Sequence, residues 1–192
     1  MTSADIDGAT VTPEYVAAQP RDKVEPILYA MIDVVMDRVI GACDQRQGKA
    51  RDRCIDETLL LAFENDGVMG RNCKSRDPGE DYQRCVMMGT RLVPVAKAVG
   101  ADPATLIDWS DLEDTQSVFD KLNELIDDRC KSATTEDQLI GCSIGTRASL
   151  LGLSPAVAEH CQERGGIEDM PACVHDALDA AIYQTAIRRL SS

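Results

Sequence analysis

Apolar residues recur at helical spacing along most of this chain. Leu28, Met31, Val35 and Val39 fall on one stripe ahead of Cys43, and Val118, Phe119, Leu122, Leu125 and Ile126 do the same ahead of Cys130. After Cys173 the pattern resumes with Val174, Leu178, Ala181 and Ile182. No segment alternates apolar and polar residues for more than a few positions, so strands are not expected. Turn chemistry punctuates the stripes. Asp77-Pro78-Gly79-Glu80 predicts a helix start with Asp77 as N-cap and Pro78 at the first helical position, and Thr134-Thr135-Glu136-Asp137 predicts another. Asp66-Gly67, Gly100-Ala101-Asp102-Pro103, Gly152-Leu153-Ser154-Pro155 and the run from Gly165-Gly166 to Pro171 mark further breaks. Pro94 lies inside a predicted helix and is expected to kink it.

The segments repeat. Cys43, Cys54, Cys73 and Cys85 recur 87 or 88 residues later as Cys130, Cys142, Cys161 and Cys173. At that offset Thr58 meets Thr146, Arg76 meets Arg164 and Val86 meets Val174. A shorter echo, Cys73-Lys74-Ser75 with Gly89-Thr90-Arg91, matches Cys130-Lys131-Ser132 with Gly145-Thr146-Arg147. The expected fold is therefore all-α and internally duplicated: two up-down four-helix bundles about a pseudo-twofold axis, built from four disulfide-stapled hairpins. Residues 1–20 read as an N-terminal arm, 21–100 as the first half, 101–110 as a connector with a short helical turn, and 111–192 as the second half.

The eight cysteines form four local pairs with ten or eleven residues between partners. Zinc knuckles, C-x-x-C redox motifs and haem sites all need closer spacing, which leaves disulfides. Local bridging (Cys43–Cys54, Cys73–Cys85 and their equivalents) is preferred, while a nested pattern, Cys43–Cys85 with Cys54–Cys73, stays open. The nested pattern resembles the twin C-x9-C helical-hairpin proteins of the mitochondrial intermembrane space. This chain differs from them in spacing and in placing Pro and Gly between the cysteines, and no function is transferred.

Bridging on this scale implies an oxidising compartment, periplasmic or secreted. Met1-Thr-Ser-Ala-Asp-Ile-Asp has neither the basic nor the apolar region of a signal peptide, so a mature form or a signal-independent route is expected, the alternative being a cytosolic protein with eight free thiols. Only 4% of the 192 residues are aromatic, so the core must be aliphatic. No apolar run is long enough to cross a membrane. The net charge of -13 argues against nucleic acid. Most of it belongs to residues 100–192, which carry 17 acids against 7 bases, and eleven of those acids lie between Asp102 and Asp137.

Candidate chemistry is sparse. Asp108, Trp109, Asp111, Glu113 and Asp114 form the densest acidic stretch and hold the one Trp, with Ser110 or Asp111 expected to cap the next helix. Arg91 and Arg147 recur on helices near the predicted core and suit anion binding or pairing with an acid. His160 and His175 flank Cys161 and Cys173 and make a metal site conceivable only if those cysteines are free. No catalytic motif is present and no cofactor is expected. The reading is a non-enzymatic binding protein of an extracytoplasmic space (an inhibitor, immunity-type protein or adaptor) whose partner is another protein; the acidic stretch reads as a solvated helix face, with a docking surface for a basic partner as the alternative. The alternatives are a small-ligand or metal carrier, or an enzyme with its site between the halves.

Overall fold

A computed structural model describes residues 10–63, 67–164 and 169–191. These are all-helical, with ten helices: α1 (Pro13–Ala17), α2 (Arg21–Gly41), α3 (Lys49–Phe63), α4 (Val68–Cys73), α5 (Glu80–Ala98), α6 (Pro103–Leu106), α7 (Gln116–Cys130), α8 (Glu136–Leu150), α9 (Pro155–Glu163) and α10 (Asp169–Arg189). The Gly165-Gly166 break and Asp66 fall outside the described residues.

All four bridges are local: Cys43–Cys54, Cys73–Cys85, Cys130–Cys142 and Cys161–Cys173, so the nested pairing is not formed. Each joins the end of one long or short helix to the second turn of the next. Beside two of them a threonine recurs. Thr58 Oγ1 lies 3.8 Å from Cys43 Sγ, and Thr146 Oγ1 lies 3.6 Å from Cys130 Sγ.

Helix starts follow local chemistry, with two departures from expectation. Thr135 caps α8 by accepting from the Gln138 amide, as its sequence predicts. Asp77, however, does not cap α5. The helix begins at Glu80 after Gly79, whose φ of 96° suits glycine and turns its N–H onto Asp56 Oδ2 at 2.9 Å. Nor do Ser110 and Asp111 cap α7, which starts later, behind Thr115, with the Gln116 amide donating to Asp114 Oδ1. The chain around Ser110 is held instead in a turn by Asp108.

The core centres on α10, which packs against α1, α2, α3, α5, α8 and α9. A helix enclosed on so many sides cannot be amphipathic, and Ala177, Ala180 and Ala186 let neighbours approach while Val174, Leu178, Tyr183 and Ile187 fill the gaps. The segment expected as an arm contributes to this core through Val11, Val16 and Ala17, all fully buried.

The halves interlock rather than stand apart. α1 packs on α9 and α10, and α2 on α10; correspondingly α6 packs on α4 and α5, and α7 on α5. Equivalent arginines fasten both crossings. Arg76 donates to the Trp109 carbonyl at 2.6 Å, and Arg164 donates to the Gln19 carbonyl through Nε at 2.7 Å. Short helices with like starts, Thr12-Pro13 and Asp102-Pro103, precede each long first helix. This is compatible with duplication of a five-helix unit in which each copy's leading helices lie on the other's last ones.

Candidate functional site

The acidic stretch is largely occupied with its own fold. Asp108 Oδ1 accepts from the Ser110 hydroxyl at 2.6 Å and from the Ser110 and Asp111 amides. These bonds hold the carboxyl below its ordinary range. Trp109 is half-buried, donates its indole N–H to the Pro103 carbonyl at 3.1 Å, and lies against Gly89, where a Cβ would come within 3.2 Å of the ring. Asp111 and Asp114 accept from nearby amides, and Glu113 pairs with Arg84 on the surface. The stretch fastens α6 and α7 onto α5.

Arg91 and Arg147 part company. Arg91 reaches across from α5 to α10 and holds Asp179 with two bonds, Nε to Oδ1 at 3.0 Å and Nη2 to Oδ2 at 2.6 Å. The two residues are 88 apart, the offset at which most of the cysteines recur. Burial raises Asp179 to about 6, an effect that Arg91 only partly offsets. Burial also lowers Arg91, but Asp179 and Tyr183 together more than restore it. The pair forms the floor of a groove of about 760 Å³ between α2 and α10, whose walls include exposed Tyr29 and half-buried Asp176.

Arg147 has no such partner. It is 7% exposed; Nη2 donates to Asn123 Oδ1 at 2.7 Å, Nη1 lies 3.3 Å from His175 Nε2, and Nε has no hydrogen-bond partner. Phe119 packs edge-on against the His175 ring, with centroids 5.1 Å apart.

The two histidines serve different elements. His160 is on α9, 3.7 Å from Glu163, and His175 is on α10 within the Arg147 cluster. Their cysteines are bridged, so the Cys2His2 ligand set cannot form, and among the described residues no group of three His, Cys, Asp or Glu side chains is placed to hold a metal ion. Burial, followed by Arg147 and Arg91, pushes His175 down to about 4. It is neutral at pH 7. The unfolded chain takes up this proton near 6.5, so His175 supports the fold above that pH and its contribution is lost as pH falls towards 4. The gap corresponds to at most about 3 kcal/mol. His175→Met, the residue at the equivalent position Met87, is therefore expected to flatten the acid limb. Urea unfolding from pH 7 to 4 measures the difference from wild type, and a difference independent of pH refutes the assignment.

Sequence reasoning missed one surface feature. A groove of about 300 Å³ runs between α7 and α8 and ends on the first turn of α10. Ile126, Leu139, Ile140, Ile144 and Met170 line it, and its charged residues are Asp127 and Glu136. Leu139 is 48% exposed. The signal was the sequence of α8, where Leu139-Ile140 adds apolar residues beyond the single stripe that the core needs.

Compared with protein-family profiles, with curated proteins and with solved structures, the chain has no significant match.

Proposed function

We propose that this is a non-enzymatic binding protein of an oxidising extracytoplasmic compartment, periplasmic or secreted, that docks a basic amphipathic segment of another protein in the α7–α8 groove. The observation that carries the reading is the groove's composition: apolar walls with carboxylates as the charged lining. All eleven acids between Asp102 and Asp137 are exposed, and α7, which forms one wall of the groove, turns Asp120, Glu124, Asp127 and Asp128 to solvent. A helix with one apolar face and one Lys/Arg face would bury the first against Leu139 and Ile140 and set the second among these carboxylates. Four disulfides fit such a role, because they stabilise a scaffold that presents its surface outside the cell's reducing interior.

The test is titration of a synthetic Leu/Lys amphipathic helix into the protein, followed by calorimetry. Leu139→Glu is expected to weaken binding at least about tenfold, a loss of about 1.4 kcal/mol. Asp127→Lys with Glu136→Lys should weaken it and reduce its salt dependence. Binding that survives both variants unchanged contradicts the reading. A second reading, carriage of a small ligand, draws on the α2–α10 groove, whose volume of about 760 Å³ suits a ligand pocket. Tyr29→Ala would then abolish ligand uptake and leave the helix titration unaffected.

A further inference from the structure

The two copies of the repeat differ at many core positions, and at one of them the second copy buries an arginine where the first has leucine. Where the second copy has Phe119, Asn123, Arg147 and His175, the first has Ile32, Met36, Leu59 and Met87 at the offset fixed by the cysteines. Leu59 is fully buried, and Ile32, Met36 and Met87 pack against the core. The architecture is thus satisfied by four aliphatic side chains, and the polar set in the second copy is not needed to hold the helices together.

At the centre of that set lies a guanidinium with incomplete partners. Arginine keeps its proton even when buried, and a desolvated charge is costly unless it is paired. Arg147 meets only a neutral amide oxygen, from Asn123, and a neutral imidazole. Asp127 acts on it from α7 without forming an ion pair. One edge of the guanidinium, Nε with Nη2, is the planar fork that fits two oxygens of a carboxylate or phosphate. In this structure that edge has one acceptor for its two nitrogens, because Nε is unpartnered. Asn123, which supplies the acceptor, is exposed on α7, so the edge lies one side chain beneath the surface.

We propose that Arg147 anchors an oxyanion site, in which a carboxylate or phosphate group of a ligand displaces the Asn123 amide and takes the Nε–Nη2 edge. His175 holds the other end of the guanidinium and Phe119 backs the imidazole, so the fork is fixed in place before the ligand arrives. The proposal does not depend on the α7–α8 groove having a protein partner. The site lies one helical turn from it, since Asn123 precedes Asp127 and Arg147 follows Ser143 by four residues.

The experiment follows the Arg147 side-chain Nε–H resonance and the His175 ring resonances, which every Arg147 variant retains, in the intact, oxidised protein during titration with acetate, with inorganic phosphate, and with chloride at matched ionic strength. The expected result is a saturable shift of both with acetate or phosphate and none with chloride; which of the two binds more tightly identifies the anion class. Asn123→Ala should tighten binding by removing the competing amide. Arg147→Lys should weaken it about tenfold, because an ammonium lacks the two-donor edge. Arg147→Leu, copying Leu59, should stay folded and abolish the response of the His175 ring. No shift, the same shift with chloride, or an unchanged response in Arg147→Leu would each overturn the proposal.

Discussion

Reduction of all four disulfides is expected to unfold this protein at physiological temperature. Each bridge closes a loop of 11 or 12 residues' separation, and a loop of that size contributes about 3 kcal/mol by restricting the unfolded chain. Four together amount to roughly 12 kcal/mol, as large as the whole stability of an ordinary domain. The core cannot make up the loss. Among the described residues, Tyr183 is the one aromatic of the largest fully buried side chains, and the rest are Met, Leu, Ile and Val. The bridges should also differ in weight. Cys161 and Cys173 are fully buried beside α1, where Cys173 Sγ lies 3.8 Å from the Ala17 carbonyl, whereas Cys142 is only half-buried. Replacing the Cys161–Cys173 pair by serines should therefore cost more than replacing Cys130–Cys142. Far-UV circular dichroism with and without reductant and thiol alkylation measures the first effect, and thermal melts of the two double variants measure the second. A reduced chain that keeps its helicity and its melting transition contradicts this account.

The Arg91–Asp179 pair is the next most sensitive point. Asp179 keeps only 13% of its side-chain exposure, so removing Arg91 strands a carboxylate away from water. Arg91 itself is 49% exposed, which puts the cost at the lower end for a broken buried pair, about 2–3 kcal/mol for Arg91→Ala at pH 8. The sign of the pH dependence follows from Asp179. Its folded value of about 6 lies above the unfolded 3.8, so the folded chain holds a proton between these values that the unfolded chain has lost. Burying the charge therefore costs stability as pH rises through this window, and Arg91 matters most above it. Below the window Asp179 is neutral and needs no cation. The loss caused by Arg91→Ala should accordingly shrink between pH 8 and pH 4. Replacing both residues with methionine should restore most of it. Guanidinium unfolding of the three proteins at the two pH values decides the matter; a loss that is equal at both shows that Arg91 acts through packing alone.

Much of this architecture is written in the chain, because its signals are local. Helical stripes, Thr135 before α8 and the cysteine spacing depend on residues within a turn or two of one another. The crossing of α2 onto α10 and of α7 onto α5 depends on surfaces far apart in sequence. Even so, Arg91 and Asp179 carry a trace of it in their separation. The start of α5 is not legible locally, because Pro78 and Asp77 make a good N-terminus by themselves and only the distant Asp56 explains why the helix waits for Glu80. At the candidate sites the residue types were legible and their roles were not. Arg91 and Arg147 occur in the same Gly-Thr-Arg motif, yet one finds a carboxylate and the other does not, a difference set by what α10 presents to each. Asp108 and Trp109 stand out in the sequence as part of its densest acidic stretch, and they serve as a clasp. The α7–α8 groove is an absence between helices, which no single stripe encodes.

The central claim is that the α7–α8 groove is where this protein meets its partner. It is tested most directly by placing a photo-crosslinking residue at Leu139, and separately at Leu61, in the oxidised protein exposed to an extracytoplasmic fraction. Leu61 is the stricter control because it is 73% exposed against 48% for Leu139. The account predicts a discrete adduct from position 139 that a Leu/Lys amphipathic helix competes away, with the crosslinked peptide of the partner basic and amphipathic, and no such adduct from position 61. Adducts of equal yield from both positions, or one from position 61 alone, would contradict it.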